Sequence, residues 1–221
     1  MAVTIQNVKN SPIISQYMEM GNAFIGNIGA IEHNMHHAEL TCFICYDILN
    51  TLGYAQREAE LGAIAGYLHD IGNLINRYNH GMSGAIMALN ILLDLEMDPG
   101  EIATIMGAIG NHEENSGGQP VNNVAAALIL ADKSDVHRSR VRKQDIATFT
   151  PRDRVNYAVT SSNLLIDKSE MSVALKMHID TSVCSVMEYF EIFLTKMLMC
   201  RRAAKHLKCE FQLIINDSKL L

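Results

Sequence analysis

Leu68-His69-Asp70-Ile71-Gly72-Asn73 closes an apolar segment of helical periodicity. A histidine and a carboxylate side by side, where a helix meets a glycine, are costly to bury unless something pairs with them. A divalent metal pairs with both at once, through an imidazole nitrogen and a carboxylate oxygen. Leu61, Ile64, Ala65 and Leu68 recur at helical spacing, which predicts a helix from about Gln56 to Ile71 with His69-Asp70 near its end. Gly72 suits the C-terminus of that helix.

The flanking sequence is helical on both sides. Asn10-Ser11-Pro12 is a helix-start signal, and the segment it opens runs through Ile14, Met18 and Phe24 until Gly26 and Gly29 loosen it. A second helix carries Leu40, Ile44 and Ile48 on one face and stops at Leu52-Gly53. Another is expected from near Asn79 to Glu96, followed by Asp98-Pro99-Gly100-Glu101, which resembles a capping box and starts a helix reaching Asn111-His112. Asn115 to Pro120 reads as a loop, and a long helix is expected from about Val121 to Arg142.

After about Asp145 the pattern changes. Val155 to Ile166 and Met171 to Ile179 are rich in β-formers, with a turn at Asp167-Lys168-Ser169-Glu170 between them. Val183 to Leu207 predicts one long helix and Phe211 to Ile215 a short strand. The expected fold is mainly α, a helical body over residues 1–144 carrying a small C-terminal β-β-α-β α+β extension over residues 145–221.

Of the 221 residues, 48% are hydrophobic and 19% charged, a globular composition with enough chain for one sizeable core. The net charge of −6 argues against a nucleic-acid polymer as partner. A nucleotide-sized anion stays compatible, because a metal supplies local positive charge. No stretch approaches the roughly 20 apolar residues that span a bilayer, so no membrane partner is expected. The N-terminus lacks the pattern of a signal peptide, and the five cysteines are expected to remain thiols in a reducing cytoplasm. Cys42 and Cys45, in a helical apolar pattern, read as core thiols.

Further metal-ligand candidates sit where a metal needs them. His33, His36 and His37 crowd the start of the second helix, His80 opens the fourth, His112 closes the fifth, and Asp132 interrupts the apolar run Ala125 to Ala131. Ala125, Leu128, Asp132, Asp135 and Ser139 follow three- and four-residue steps, which turns Asp132 toward the core. Taken singly, a histidine on a half-apolar helix is more often a residue hydrogen-bonded to a backbone carbonyl than a metal ligand, and what points to a metal is the order of the set. His178 and His206 are read as structural, and His137 faces either a pocket or solvent.

Over about residues 30 to 142 this order of residues resembles the HD-domain superfamily of metal-dependent phosphohydrolases. The family's His…His-Asp…Asp pattern falls on His37, His69-Asp70 and Asp132. Members place the Leu-Gly that ends the ligand-bearing helix about four turns after the ligand, which selects His37, with His33 the fallback. Binuclear branches add two histidines between the His-Asp and the last Asp, and His80 and His112 stand there. Asn111-His112-Glu113-Glu114…Gly117-Gly118-Gln119-Pro120 is similar to a segment of the HD-GYP phosphodiesterases. Asn111 and Gln119 replace its first histidine and its tyrosine, which sets cyclic di-GMP aside.

The resemblance implies an HD-type helical bundle with one or two divalent ions per chain, iron, manganese, nickel or magnesium. His37, His69, Asp70 and Asp132 would hold one ion and His80 and His112 a second, with Asp70, the catalytic carboxylate, as bridge. A metal-activated water would attack phosphorus in a small phosphoester or nucleotide. Arg77, Lys133, Asn73 and Glu113 are the substrate-binding candidates, with Arg138 and Arg142 as further nearby cations. Asn73 stands where a lysine often follows His-Asp-Ile-Gly. The same pattern also resembles di-iron oxygenases of the superfamily, and a non-catalytic nucleotide-binding sensor is a third reading. A homodimer is the default expectation for assembly.

Overall fold

The computed structural model describes residues 2–221. Helices α1 (Ile5–Lys9), α2 (Pro12–Asn27), α3 (Met35–Leu52) and α4 (Gln56–Leu68) are followed by a 3-10 turn over Ile71–Leu74. Helices α5 (His80–Asp94), α6 (Pro99–Gly110) and α7 (Asn123–Ser134) complete the helical body. The C-terminal part runs α8 (Pro151–Ala158), β1 (Val159–Asp167), β2 (Ser172–Ile179), α9 (Val186–His206), β3 (Glu210–Ile215) and β4 (Ser218–Lys219). The protein is therefore mainly α with a small α+β extension, as its sequence predicts.

Helix α4 is the centre of the body. Every residue from Leu61 to Leu68 is buried, and its small residues let neighbours approach closely. A Cβ on Gly66 would lie 2.8 Å from the Thr41 carbonyl oxygen, so only glycine lets α3 pack this tightly on α4. That close crossing brings His37 on α3 beside His69, just past the end of α4. Local signals fix the ends: the Asn34 side chain accepts from His37 N–H at the start of α3, and Gly53 ends that helix at φ 88°.

Strand order is β1-β2-β3-β4, with β1–β2 and β3–β4 antiparallel and β2–β3 parallel across the α9 crossover. One buried apolar cluster runs through the molecule, from Val8 and Leu49 through Ile129 to Phe193 and Leu213. The five cysteines are buried and free. Among the described residues, no helix is long and apolar enough to cross a membrane.

Several expectations need correction. The long helix ends at Ser134 rather than Arg142. Asp135 bonds His37 instead, and Arg140 donates to the carbonyls of Glu32 and Asp135, partners that a continued helix would not reach. The first predicted strand loses its start to α8, which Thr150 and Asp153 open with a reciprocal capping box behind Pro151. Asp98 caps α6 through Gly100 and Glu101 N–H, but the Glu101 side chain pairs with Arg57 rather than completing the box. His33 precedes α3 and does not lie on a helical face.

Candidate metal centre

The six ligand candidates come from five segments of the chain, His69 and Asp70 being adjacent, and meet at one point. Three groups have donor atoms within 4.8 Å of one another: His37, His69 and Asp70; His69, His112 and Asp132; and Asp70, His80 and His112. His69, Asp70 and His112 belong to two groups each, and all of these residues except Asp132 are buried. The structure thus brings together the six first-choice candidates, His37, His69, Asp70, His80, His112 and Asp132. His33 lines the adjoining cavity but belongs to none of the groups.

Gly72 makes the meeting possible. It has no left-handed backbone, and its role is not that of a helix cap. A Cβ there would lie 2.0 Å from the His80 carbonyl oxygen and 2.6 Å from Gly84 N. The bare backbone lets the start of α5 settle against the 3-10 turn, and His80 Nε2 reaches to 3.0 Å from Asp70 Oδ1.

Hydrogen bonds behind the histidines decide which nitrogen faces inward. His69 Nδ1 donates to the Gly66 carbonyl at 2.7 Å, and His112 Nδ1 to the Ile109 carbonyl at 2.6 Å. A carbonyl only accepts, so a neutral ring at either position presents its Nε2 lone pair to the centre. Asp135 Oδ2 lies 2.6 Å from His37 Nδ1, and Glu113 Oε1 2.6 Å from His80 Nδ1. Backing of metal-bound histidines by carbonyls and carboxylates is the usual device for orienting them.

The centre is short of positive charge. Asp70 Oδ2 is buried with no hydrogen-bond donor, 3.3 Å from His69 Nε2 and 3.5 Å from His37 Nε2. Asp132 Oδ1 lies 3.4 Å from His37 Nε2 and 3.7 Å from His69 Nε2. Burial works against the charged form of both carboxylates. It is outweighed at Asp70 by His69, His33 and His80, and at Asp132 by Lys133, His37 and His69, so both stay well below the usual range. Burial, with His80 and His69 beside it, pushes His112 down to about 3, which keeps its ring neutral. At His80 burial is overcome by bonds to Asp70 and Glu113, which raise it to about 9. A cation is favoured between Asp70 and His112, whether it is an imidazolium or a metal ion. Buried carboxylates and converging imidazole nitrogens are a donor set suited to a divalent transition metal.

The centre opens on a cavity of about 500 Å³. Asp70, His80, His112 and Asp132 lie in its wall, and so do five cations, Arg77, Lys133, Arg140, Arg152 and Lys196. Arg77 Nη1 is 3.1 Å from Asn73 Oδ1 and 3.9 Å from Asp70 Oδ1. Buried Lys133 pairs with Asp132 at 2.6 Å and Glu114 at 2.9 Å. Glu113 lies in the wall, yet its oxygens are occupied by His80, Gly81 N–H and the Ser116 hydroxyl. Asn73 is not in the wall; it is buried behind Arg77 and holds it.

Arg138 and Arg142 do not reach the cavity either. Arg142 donates to Ala30, Glu32 and Asn22, and Arg138 stacks on Tyr157. His137 Nε2 bonds the Thr160 carbonyl. The sequence reasoning missed Arg140, Arg152 and Lys196. No local signal singled them out: Arg138–Arg140 forms a 3-10 turn, so neither helical nor alternating spacing separates Arg140 from Arg138 and Arg142.

Fold and site together define a mainly helical protein with a histidine–aspartate cluster that could hold metal. No protein-family model matches the chain. Over 157 residues it is 24% identical to the uncharacterized protein MJ1020 of Methanocaldococcus jannaschii, a match covering 61% of this chain and 60% of that protein's length.

Proposed function

We propose that the protein is a metal-dependent phosphohydrolase of the HD-domain type, acting on a small, nucleotide-like phosphoester. The observation that carries this reading is a buried cluster of His37, His69, Asp70, His80, His112 and Asp132 opening on a cavity with five cations in its wall. Iron, manganese, nickel or magnesium held there would supply a water of lowered pKa and charge stabilisation for displacement at phosphorus.

The chain's own residues have separable tasks. Asp70 would help to hold the metal with both oxygens, since Oδ2 faces His37 and His69 while Oδ1 faces His80. Asp135 and Glu113 hold the His37 and His80 rings in place. Arg77, braced by Asn73, offers its remaining N–H groups to non-bridging phosphate oxygens. Lys133 fixes the Asp132 carboxylate and adds positive potential to the wall.

A screen of phosphomonoesters and phosphodiesters, with each metal added in turn, tests the proposal beside Asp70→Ala. Metal-dependent phosphate release by the wild type and its loss in the variant are expected. Equal inertness of both proteins would remove the hydrolase reading.

A further inference from the structure

We propose that Arg152 and Lys196, backed by Arg140, form a second anion subsite in the cavity of the metal centre. It would take a substrate with a further phosphate beyond the reacting one, a di- or triphosphate rather than a monophosphate. The substrate class rests on the phosphohydrolase reading; the subsite itself does not.

Both residues come from the C-terminal extension, Arg152 from α8 and Lys196 from α9, yet both line the same cavity as Asp70 and His80. Neighbouring cations are spent: Arg154 pairs with Glu188 at 2.6 Å and Lys143 with Asp153 at 2.7 Å. Among the described residues, Arg152 and Lys196 have no acidic partner at ion-pair distance and their charged groups make no hydrogen bond. Glu114, the carboxylate whose field reaches both, is committed to Lys133.

A half-buried ammonium without a carboxylate is costly unless a ligand supplies the anion. The Lys196 ammonium lies 4.6 Å from the centre of the Phe193 ring, which leaves its other side free for such a ligand. Burial, with Lys133 and Arg152 nearby, pushes it down to about 8, and a bound anion would raise it again. Behind them Arg140 is buried and lines the cavity, with Nη2 lacking any hydrogen-bond partner. Its charge adds to the field without needing to touch the ligand. The cavity of about 500 Å³ is far larger than one phosphate requires.

Calorimetry on the full chain, stripped of metal and dialysed free of chelator, tests the subsite without requiring catalysis. The probes are pyrophosphate and orthophosphate, with the wild type set against Arg152→Gln/Lys196→Gln and each single variant. Neither side chain contributes a hydrogen bond to the fold, and Lys196 is an unpaired half-buried charge, so the variants should melt no lower than the wild type. Pyrophosphate is expected to bind the wild type more tightly than orthophosphate, and the double variant to lose about tenfold in pyrophosphate affinity. Equal affinity in wild type and double variant, or no preference for pyrophosphate, would overturn the subsite. If this pattern appears but no phosphoester is hydrolysed in the metal screen, the subsite stands and the hydrolase reading falls.

Discussion

His69 turns Nε2 to within 3.3 Å of Asp70 Oδ2 while its Nδ1 donates to the Gly66 carbonyl. In its neutral form the ring therefore presents a lone pair to a buried carboxylate oxygen that has no hydrogen-bond donor. Two electron-rich atoms held face to face repel each other unless a cation lies between them. This relationship places the metal at the centre of the account, and the predictions below follow from what supports it.

The rings of His37 and His80 are oriented by Asp135 and Glu113. Asp135→Ala and Glu113→Gln should each weaken metal affinity by about 10- to 100-fold while the helical circular dichroism is unchanged. Titration of manganese into the stripped variants measures this. Affinities equal to wild type would mean that the backing carboxylates do not position ligands.

Gly72→Ala drives a methyl group into the His80 carbonyl, which an added Cβ would approach to 2.0 Å. The cost should be about 3 kcal/mol or more, lowering Tm by roughly 6–12 °C for a chain of this length. The variant should also bind metal more weakly, because His80 must move. An unchanged melting curve would show that the turn and α5 can separate freely.

Lys133→Met leaves Asp132 and Glu114 without the ammonium that pairs with both. In metal-free protein at neutral pH, urea unfolding should show a loss of about 3–5 kcal/mol, as for a broken buried pair. A loss below 1 kcal/mol, within what a solvated surface pair gives, would place this lysine outside the framework of the site.

The helical order and the histidine–aspartate cluster were legible because both leave one-dimensional traces. Apolar periodicity marks α3 to α7, and His69-Asp70 and Asp132 are polar interruptions of buried runs. Tertiary bonds were not legible. Asp135 leaves its helix for His37, which ends α7 early and sends Arg140 rather than Arg138 or Arg142 to the cavity. Gly72 shows the same limit: its sequence suggests a helix cap, whereas its function is close approach to an element eight residues later. Arg152 and Lys196 look like solvated helix charges until the fold sets α8 and α9 beside the metal centre.

Metal content read together with thermal stability tests the central claim most directly. Protein purified without chelator should carry one to two divalent transition-metal ions per chain, and Asp70→Ala should carry none. Stripping the wild type should lower its Tm, and restoring metal at about 100 times its Kd should return about 2.7 kcal/mol of stability. A wild-type chain free of metal, with a Tm that no added divalent ion changes, would contradict the account.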